Sequence, residues 1–293
     1  MKNVLCKNIQ NKSAELSFNN ACFLAGVSKH AFHDWLKPKI VTPDPLLGLI
    51  QAIKDDPDNR LCGYRPVTKL LQRQDITVNH KRVLKTMQKY GLTVKIKRFR
   101  LCTTNSNHGL PVYPNLIKDL EVVRLNQVWV ADITYILLAN KKYVYLAVVM
   151  DRFSRRFLGW QLSRNIDEQL CLDALYMAFE TRNGDDLSGL IHHSDQGVQY
   201  AANGYTEKLK ARDIQISMSR KGNPYDNAHM ERAIKTIKYE EVHMDEYETF
   251  EDAHRNLKHF IEEVYNKKRL SSVIGYQPPA EFEKQYQLKE VLA

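Results

Sequence analysis

Residues 128–138 read VWVADITYILL, an almost unbroken apolar run with one carboxylate, Asp132, inside it. Its length and its Val, Ile, Trp and Tyr content predict a strand. Two more such runs follow, KKYVYLAVVMD (141–151) and RRFLGWQLS (155–163), and together they predict a three-stranded meander. DEQLCLDALYMAFETR (167–182) then reads as an amphipathic helix, GLIHHSD (189–195) as a strand, GYTEKLKARD (204–213) as a helix and IQISMS (214–219) as a strand. After the turn Gly222–Asn227 a last helix begins. Three strands, helix, strand, helix, strand, helix is the order of an α/β domain with a mixed sheet.

Asp132 is the costly residue in that plan. Burying an unpaired carboxylate in a strand costs several kcal/mol, so Asp132 needs a partner. A buried arginine would serve structurally and a cation would serve chemically. Asp195 ends the strand GLIHHSD and is either a turn former or a second site carboxylate. Glu231 opens the last helix with Lys235 and Lys238 on its face. That stripe is either a solvated Glu–Lys pair or a carboxylate held among lysines that grip a polyanion. Asp226 or Asn227 is the expected N-cap of this helix. A strand interior, a strand end and a helix first turn bring the three acids to one edge of the sheet. Hard divalent cations prefer such oxygens, with phosphates and water completing the shell. Two ions about 3.5–4 Å apart serve phosphodiester displacement.

The charge is unevenly spread. The chain carries +9 overall, but residues 1–118 hold 20 Lys and Arg against 7 Asp and Glu, and the rest hold 23 against 27. A basic front points to nucleic acid. Two helix-pair patterns fill it, Ser17–Lys37 with Gly26 at the turn and Ser28 as N-cap, and Gly63–Leu92 with Asn79 as N-cap and Gly91 as the stop. Both read as helix-turn-helix units whose second helices show Lys29 in one case and Lys81, Arg82 and Lys85 in the other. PKIVTPDPLLG (38–48) and KDDPDN (54–59) read as a linker between them. KIKRFRLCTTNSNHGLPVYPN (95–115), with Lys97 and Arg98, reads as a second linker that follows a phosphate backbone. Five scattered cysteines, no secretory leader and no apolar run long enough for a bilayer predict a cytoplasmic protein without a membrane partner.

With these residues in place, the chain resembles the DDE transposases and retroviral integrases, whose core is RNase H-like. It is most similar to the second-frame (OrfB) transposases of the IS-three family of bacterial insertion sequences. The resembling pieces are GYRPVTKLL, VNHKRVLKTMQKYGL, WVADITYI, YVYLAVVMDRFSRRFLGW, HHSDQGVQY, SMSRKGNPYDNAHMERAIKTIKYE and YNKKRLSSVIGYQPPAEFE. The pattern departs at RLSSVIGY, where Ser271 stands in place of an expected histidine.

The resemblance implies a catalytic and metal-binding triad of Asp132, Asp195 and Glu231, with 35 residues between the last two. It implies Mg2+ or Mn2+ in a two-ion site, and nicking then strand transfer at element ends. Water is the nucleophile of the nick and a 3′-OH that of transfer. Double-stranded DNA, both terminal repeats and target, is the implied partner, contacted by Lys221, Asn223, Lys235 and Lys238 in the core. Self-association into a multimer and a frameshift fusion with an upstream-frame product are implied as well. A DNA-binding regulator with an inactive core, or a nuclease that cuts without joining, are the alternatives.

The expected organisation is 1–45 helix-turn-helix-like, 46–92 a second helix-turn-helix, 93–123 a basic linker, 124–245 an RNase H-like core and 246–293 a helical tail. Asp151 is expected to pair with Arg152, Arg155 or Arg156, and one of His192 and His193 to face the site. His229 is expected to contact DNA, Trp129 and Trp160 to be core, and residues 239–269 to form one charge-rich helix with an aromatic seam.

Overall fold

The computed structural model describes residues 20, 22–23, 26–36, 44–94, 109–220, 224–244 and 246–292. The chain divides into two compact units, residues 1–47 and 48–293. In the first, helix α1 (Lys29–Leu36) follows a left-handed Gly26, and its Ala31 N–H is capped by Ser28 Oγ at 3.2 Å.

Helices α2 (Pro45–Asp55), α3 (Tyr64–Arg73) and α4 (His80–Lys89) follow. Ile50, Val67, Leu71, Val83 and Met87 are buried among them. Each such side chain contributes about 1.5–3 kcal/mol through burial. Asn79 caps α4 by accepting the Lys81 N–H at 2.8 Å, and Gly91 ends it at φ +69°. The linker expected at 38–48 and 54–59 is corrected in part, because Pro45–Asp55 is helical. Asp44 accepts the Leu46 N–H at 3.1 Å and Pro45 takes the first helical position, so the Asp-Pro pair is a helix start.

The core is a five-stranded sheet in the order β3-β2-β1-β4-β5, with β1 Val128–Leu137, β2 Tyr143–Asp151, β3 Phe157–Ser163, β4 Ile191–Ser194 and β5 Gln215–Met218. The first three strands are antiparallel, and β4 and β5 run parallel to β1. This is the RNase H-like mixed sheet, and the element order agrees with the sequence pattern throughout. Helix α5 (Glu168–Thr181) crosses from β3 to β4, and short helices α6 (Val198–Ala201) and α7 (Asn203–Lys210) cross from β4 to β5. At Gly159 of β3 an added Cβ would collide with the Ala174 carbonyl oxygen, so α5 rests directly on strand backbone.

Alternation along β1 divides its side chains between two cores. Trp129 and Ala131 pack under α5 and α7, whereas Val128 and Val130 pack under α8 (Ala228–Ile237) and α9 (Phe250–Lys258). Both of these helices continue as wider π-type turns, Lys238–Val242 and His259–Tyr265. The single helix expected over 239–269 is therefore corrected to two, parted by a segment whose Tyr247 is buried and donates to Glu241 at 2.9 Å. The aromatic seam survives in buried Phe260 and Tyr265.

Helix α10 (Pro279–Leu292) closes the described chain. Residues 109–123, expected as linker, have no regular structure but lie on the core. Leu116 N–H donates to Ser217 Oγ at 2.9 Å and Ile117 is buried. Residues 95–108 of that stretch lie outside the described residues.

Candidate active site

The parallel pairing of β1 with β4 sets Val128 opposite Ile191 and Val130 opposite His193. The ladder ends there, and carrying its register on by two residues sets Asp195 beside Asp132, whose charges act on one another. Neighbouring strands lie about 4.8 Å apart, so backbone geometry makes these carboxylates neighbours. Alternation puts both on the face of Val128, Val130 and Ile191, which α8 covers.

Asp195 is folded into its own turn. Its Oδ1 accepts the Gly197 N–H at 2.9 Å, and a Cβ at Gly197 would lie 2.9 Å from that same oxygen. The turn therefore needs glycine to approach the carboxylate this closely.

Glu231 stands in the first turn of α8, which packs on β1. The expected side-chain cap is absent. Asp226 instead binds Arg220, through its backbone N–H at 3.0 Å and its guanidinium at 3.2 Å. Asn227 holds the N-cap position without a capping bond and donates from Nδ2 to the Ala131 carbonyl oxygen at 3.3 Å. Glu231 pairs with Lys235 at 3.7 Å. Lys238 is half-buried, and burial lowers its pKa while the Asp132 charge acts the other way.

Asp132 has no basic partner within ion-pair distance among the described residues, contrary to the structural option in the sequence. Its Oδ1 accepts the N–H of Ile133 at 2.8 Å. Burial first, and then the negative charges of Asp195 and Glu231, push its pKa up to about 8. Three carboxyl groups are thus gathered within reach of one another's charge, and they are hard oxygen donors. That donor set fits magnesium or manganese. Among the described residues no three His, Cys, Asp or Glu side chains stand close enough to cage an ion by themselves. A magnesium ion commonly takes one or two carboxylates and fills its shell with substrate phosphate and water, so a finished cage is not required.

The other expected contacts fall in several places. Lys81, Arg82 and Lys85 on α4, and Lys29 on α1, are exposed. Lys221, Asn223, Lys97 and Arg98 lie outside the described residues. Both histidines of β4 are buried, and alternation gives His193 the strand face of Asp195 and His192 the opposite one. His192 meets the Tyr205 hydroxyl at 3.0 Å, and His193 bridges Ser217 and Ser219 at 2.8 and 2.9 Å. Burial lowers them to about 3 and about 4, so both are neutral.

Asp151 is fully buried, and its ion-pair partner is Arg182 at 3.8 Å rather than an adjacent arginine. It also accepts the N–H groups of Asn126, Phe153 and Ser154. His229 is lowered to about 4 by burial and by the charges of Arg155, Arg152 and Arg232. From the sequence Asn227 is only a cap or loop residue. Its tie to Ala131 joins elements 96 positions apart, which no local pattern announces.

Models described as Integrase core domain match residues 123–224 and 212–279, and one described as HTH-like domain matches 43–100. The transposase for insertion sequence element IS904 of Lactococcus lactis subsp. lactis (strain IL1403) is 39% identical over 236 residues, covering 80% of this chain and 92% of that protein. Transposase InsF for insertion sequence IS3fB of Escherichia coli (strain K12) is 32% identical over 284 residues, covering 94% of this chain and 97% of its own. Among solved structures, the simian T-cell lymphotropic virus intasome in complex with PP2A regulatory subunit B56 gamma aligns at a TM-score of 0.45 and 15% identity, over 77% of this chain and 73% of that one. An integrase core behind a helix-turn-helix-like domain, with such identity along most of its length, places the chain in the IS3 family of insertion-sequence transposases.

Proposed function

We propose that this transposase nicks DNA at the element ends and transfers the freed 3′ ends by metal-dependent phosphodiester chemistry at Asp132, Asp195 and Glu231. The observation that carries this reading is Asp132, a carboxyl with a pKa pushed up to about 8 by burial and two acidic neighbours and with no basic partner among the described residues. The register of β1 with β4 supports the pairing of Asp132 with Asp195, and the Asn227–Ala131 bond ties the start of α8, which carries Glu231, to the strand of Asp132. Glu231 leaves Lys235 when it joins them, and Lys235 and Lys238 then hold phosphates of the scissile strand. Two Mg2+ or Mn2+ ions held by these carboxylates and by phosphate would supply charge stabilisation to the attacking and leaving oxygens.

Upstream, the exposed Lys81, Arg82 and Lys85 of α4 read the element end, with Lys29 of α1 as a further contact. Two ends must be held together for transfer, which calls for a multimer, with or without an upstream-frame fusion partner. The expected domain organisation, with its core over 124–245, belongs to this proposal.

A strand-transfer assay with labelled element ends in magnesium tests the reading. Asp132→Asn, Asp195→Asn and Glu231→Gln are each expected to lose nicked and joined products while still binding DNA. Joined product from any of the three defeats the assignment, and nicked product without joining from the unaltered chain identifies a nuclease.

A further inference from the structure

A pocket of about 490 Å³ opens in the second unit where the start of α3, the β2–β3 turn and one side of α8 meet. It is lined by Arg65 from α3, Arg155 from the turn, His229 and Arg232 from α8, and Arg269 beyond α9. No carboxylate is among the described residues that line it. His229, Arg232 and Thr236 form a stripe on α8 separate from that of Glu231, Lys235 and Lys238, so the two stripes serve different faces of one helix. A second cavity of about 370 Å³ adjoins it, shares Arg155 and His229, and adds Arg152 together with one acid, Glu121.

The arginines are not equivalent. Arg269 is neutralised by a two-pronged pairing with Glu240, at 2.7 Å to each oxygen. Arg65, Arg155 and Arg232 have no carboxylate within ion-pair distance among the described residues. Arg65 donates from Nε to the Tyr64 hydroxyl at 3.1 Å. Arg155 is half-buried, and its Nε is buried without a hydrogen-bond partner.

Arg155 also stands at φ +66°, a left-handed conformation that strains a side-chain-bearing residue. Glycine or asparagine would fill that turn position with less strain. The fold thus keeps a strained, under-partnered guanidinium at a place where two others converge. Guanidinium forks match the oxygens of a phosphate, and an anion of that kind would satisfy all three.

We propose that this pocket binds a phosphate of the DNA backbone through Arg65, Arg155 and Arg232, and so fixes the position of the duplex between α4 and the Glu231 face. The proposal rests on the transposase reading and adds a site to it. Its ligand is a phosphodiester contacted without regard to base sequence.

The test is binding of a fluorescein-labelled duplex to the full chain, followed by anisotropy across a potassium chloride series. Arg232→Gln is the main variant because that side chain is exposed and the fold does not depend on it. Arg155→Gln and the Arg65→Gln/Arg232→Gln pair accompany it, and melting curves establish that each is folded. Every phosphate contact removed is expected to lower the salt slope by about one and weaken binding at about 0.1 M salt on the order of tenfold.

Lys258→Gln, an exposed site on α9, is expected to leave both unchanged. A folded Arg232→Gln chain with unaltered affinity and slope overturns the proposal. So does inorganic phosphate that binds the unaltered chain by calorimetry, fails to bind Arg232→Gln and does not compete with the duplex. Failure of the triad would instead appear as joined product from Glu231→Gln, which is a separate result.

Discussion

Nδ2 of Asn227 donates to the carbonyl oxygen of Ala131 at 3.3 Å, joining the start of the helix that carries Glu231 to the strand position just before Asp132. Asn227 is buried, and it makes this bond in place of the N-cap bond its position would suggest. Removing the donor should let α8 shift relative to β1. Asn227→Ala is expected to cost about 1 kcal/mol of stability for the lost bond. Its effect on strand transfer should be larger, on the order of 100-fold, because misplacement by about 1 Å is costly for oriented groups. Single-turnover cleavage with saturating protein measures this. A normal rate would show that α8 is positioned by its apolar packing alone.

Asp132 should destabilise the metal-free fold as pH rises. Its pKa is raised from 3.8 to about 8, so the acid form is the one the fold favours. A group of this kind contributes stability below its unfolded pKa, and that contribution is lost as pH rises through the folded value. Asp132→Asn, which cannot ionise, is therefore expected to be more stable than the unaltered chain at pH about 9 by more than about 1 kcal/mol, with the gap smaller at pH about 6. Urea unfolding in chelator at the two pH values checks the sign. Magnesium should then raise the melting temperature of the unaltered chain and leave Asp132→Asn nearly unmoved, since only binding to the folded state shifts the transition.

Gly197 allows the Asp195 carboxylate to sit against the backbone of its own turn. An alanine Cβ would lie 2.9 Å from Asp195 Oδ1, closer than carbon and oxygen tolerate, and would push it from the Gly197 N–H that holds it. Gly197 is not in a left-handed conformation, with φ −65°, so the effect is one of contact and not of backbone strain. Gly197→Ala is expected to lower strand transfer about 10–100-fold while changing the melting temperature little. Equal losses of stability and activity would show that the turn itself had failed.

The strand and helix order of the core was legible because its runs are long and their periods clear. VWVADITYILL, KKYVYLAVVMD and RRFLGWQLS became β1, β2 and β3 in the sheet. Asp132 stood out because a carboxylate inside an apolar strand demands an explanation. What was hidden depended on partners far along the chain. The start of Pro45–Asp55 looked like linker because the three prolines and the glycine of 38–48 outweighed its apolar spacing, although Asp44 and Pro45 make a good helix start. Asp151 was matched to the arginines beside it, while a strand-end carboxylate pointing inward reached Arg182 on the far end of α5. Neighbours in sequence were the wrong place to look for a buried charge's partner.

The same lesson applies to Glu283, a charged residue of α10 that is only 2% exposed. It accepts from Ser154 Oγ at 2.6 Å, from Arg156 at 2.7 Å and from both terminal nitrogens of Arg182, one at 3.0 Å. Burial alone would raise its pKa, but Arg182, Arg156 and Ser154 outweigh that and hold it below the ordinary value of 4.5. The carboxylate therefore stabilises the fold above its unfolded pKa, and the contribution is lost as pH falls through the lower folded value. Glu283→Ala would leave Arg182 buried with only the longer contacts to Asp185 at 3.6 Å and Asp151 at 3.8 Å. Loss of one member of a buried ion pair costs about 3–5 kcal/mol, and that loss is expected in urea unfolding near neutral pH. Glu283→Gln keeps the shape and should lose less. Its deficit against the unaltered chain should narrow on acidification, because the unaltered chain then loses the same charge. A deficit that stays constant down to the acid range would mean that packing of α10, rather than the charge of Glu283, fastens this helix to the β2–β3 turn.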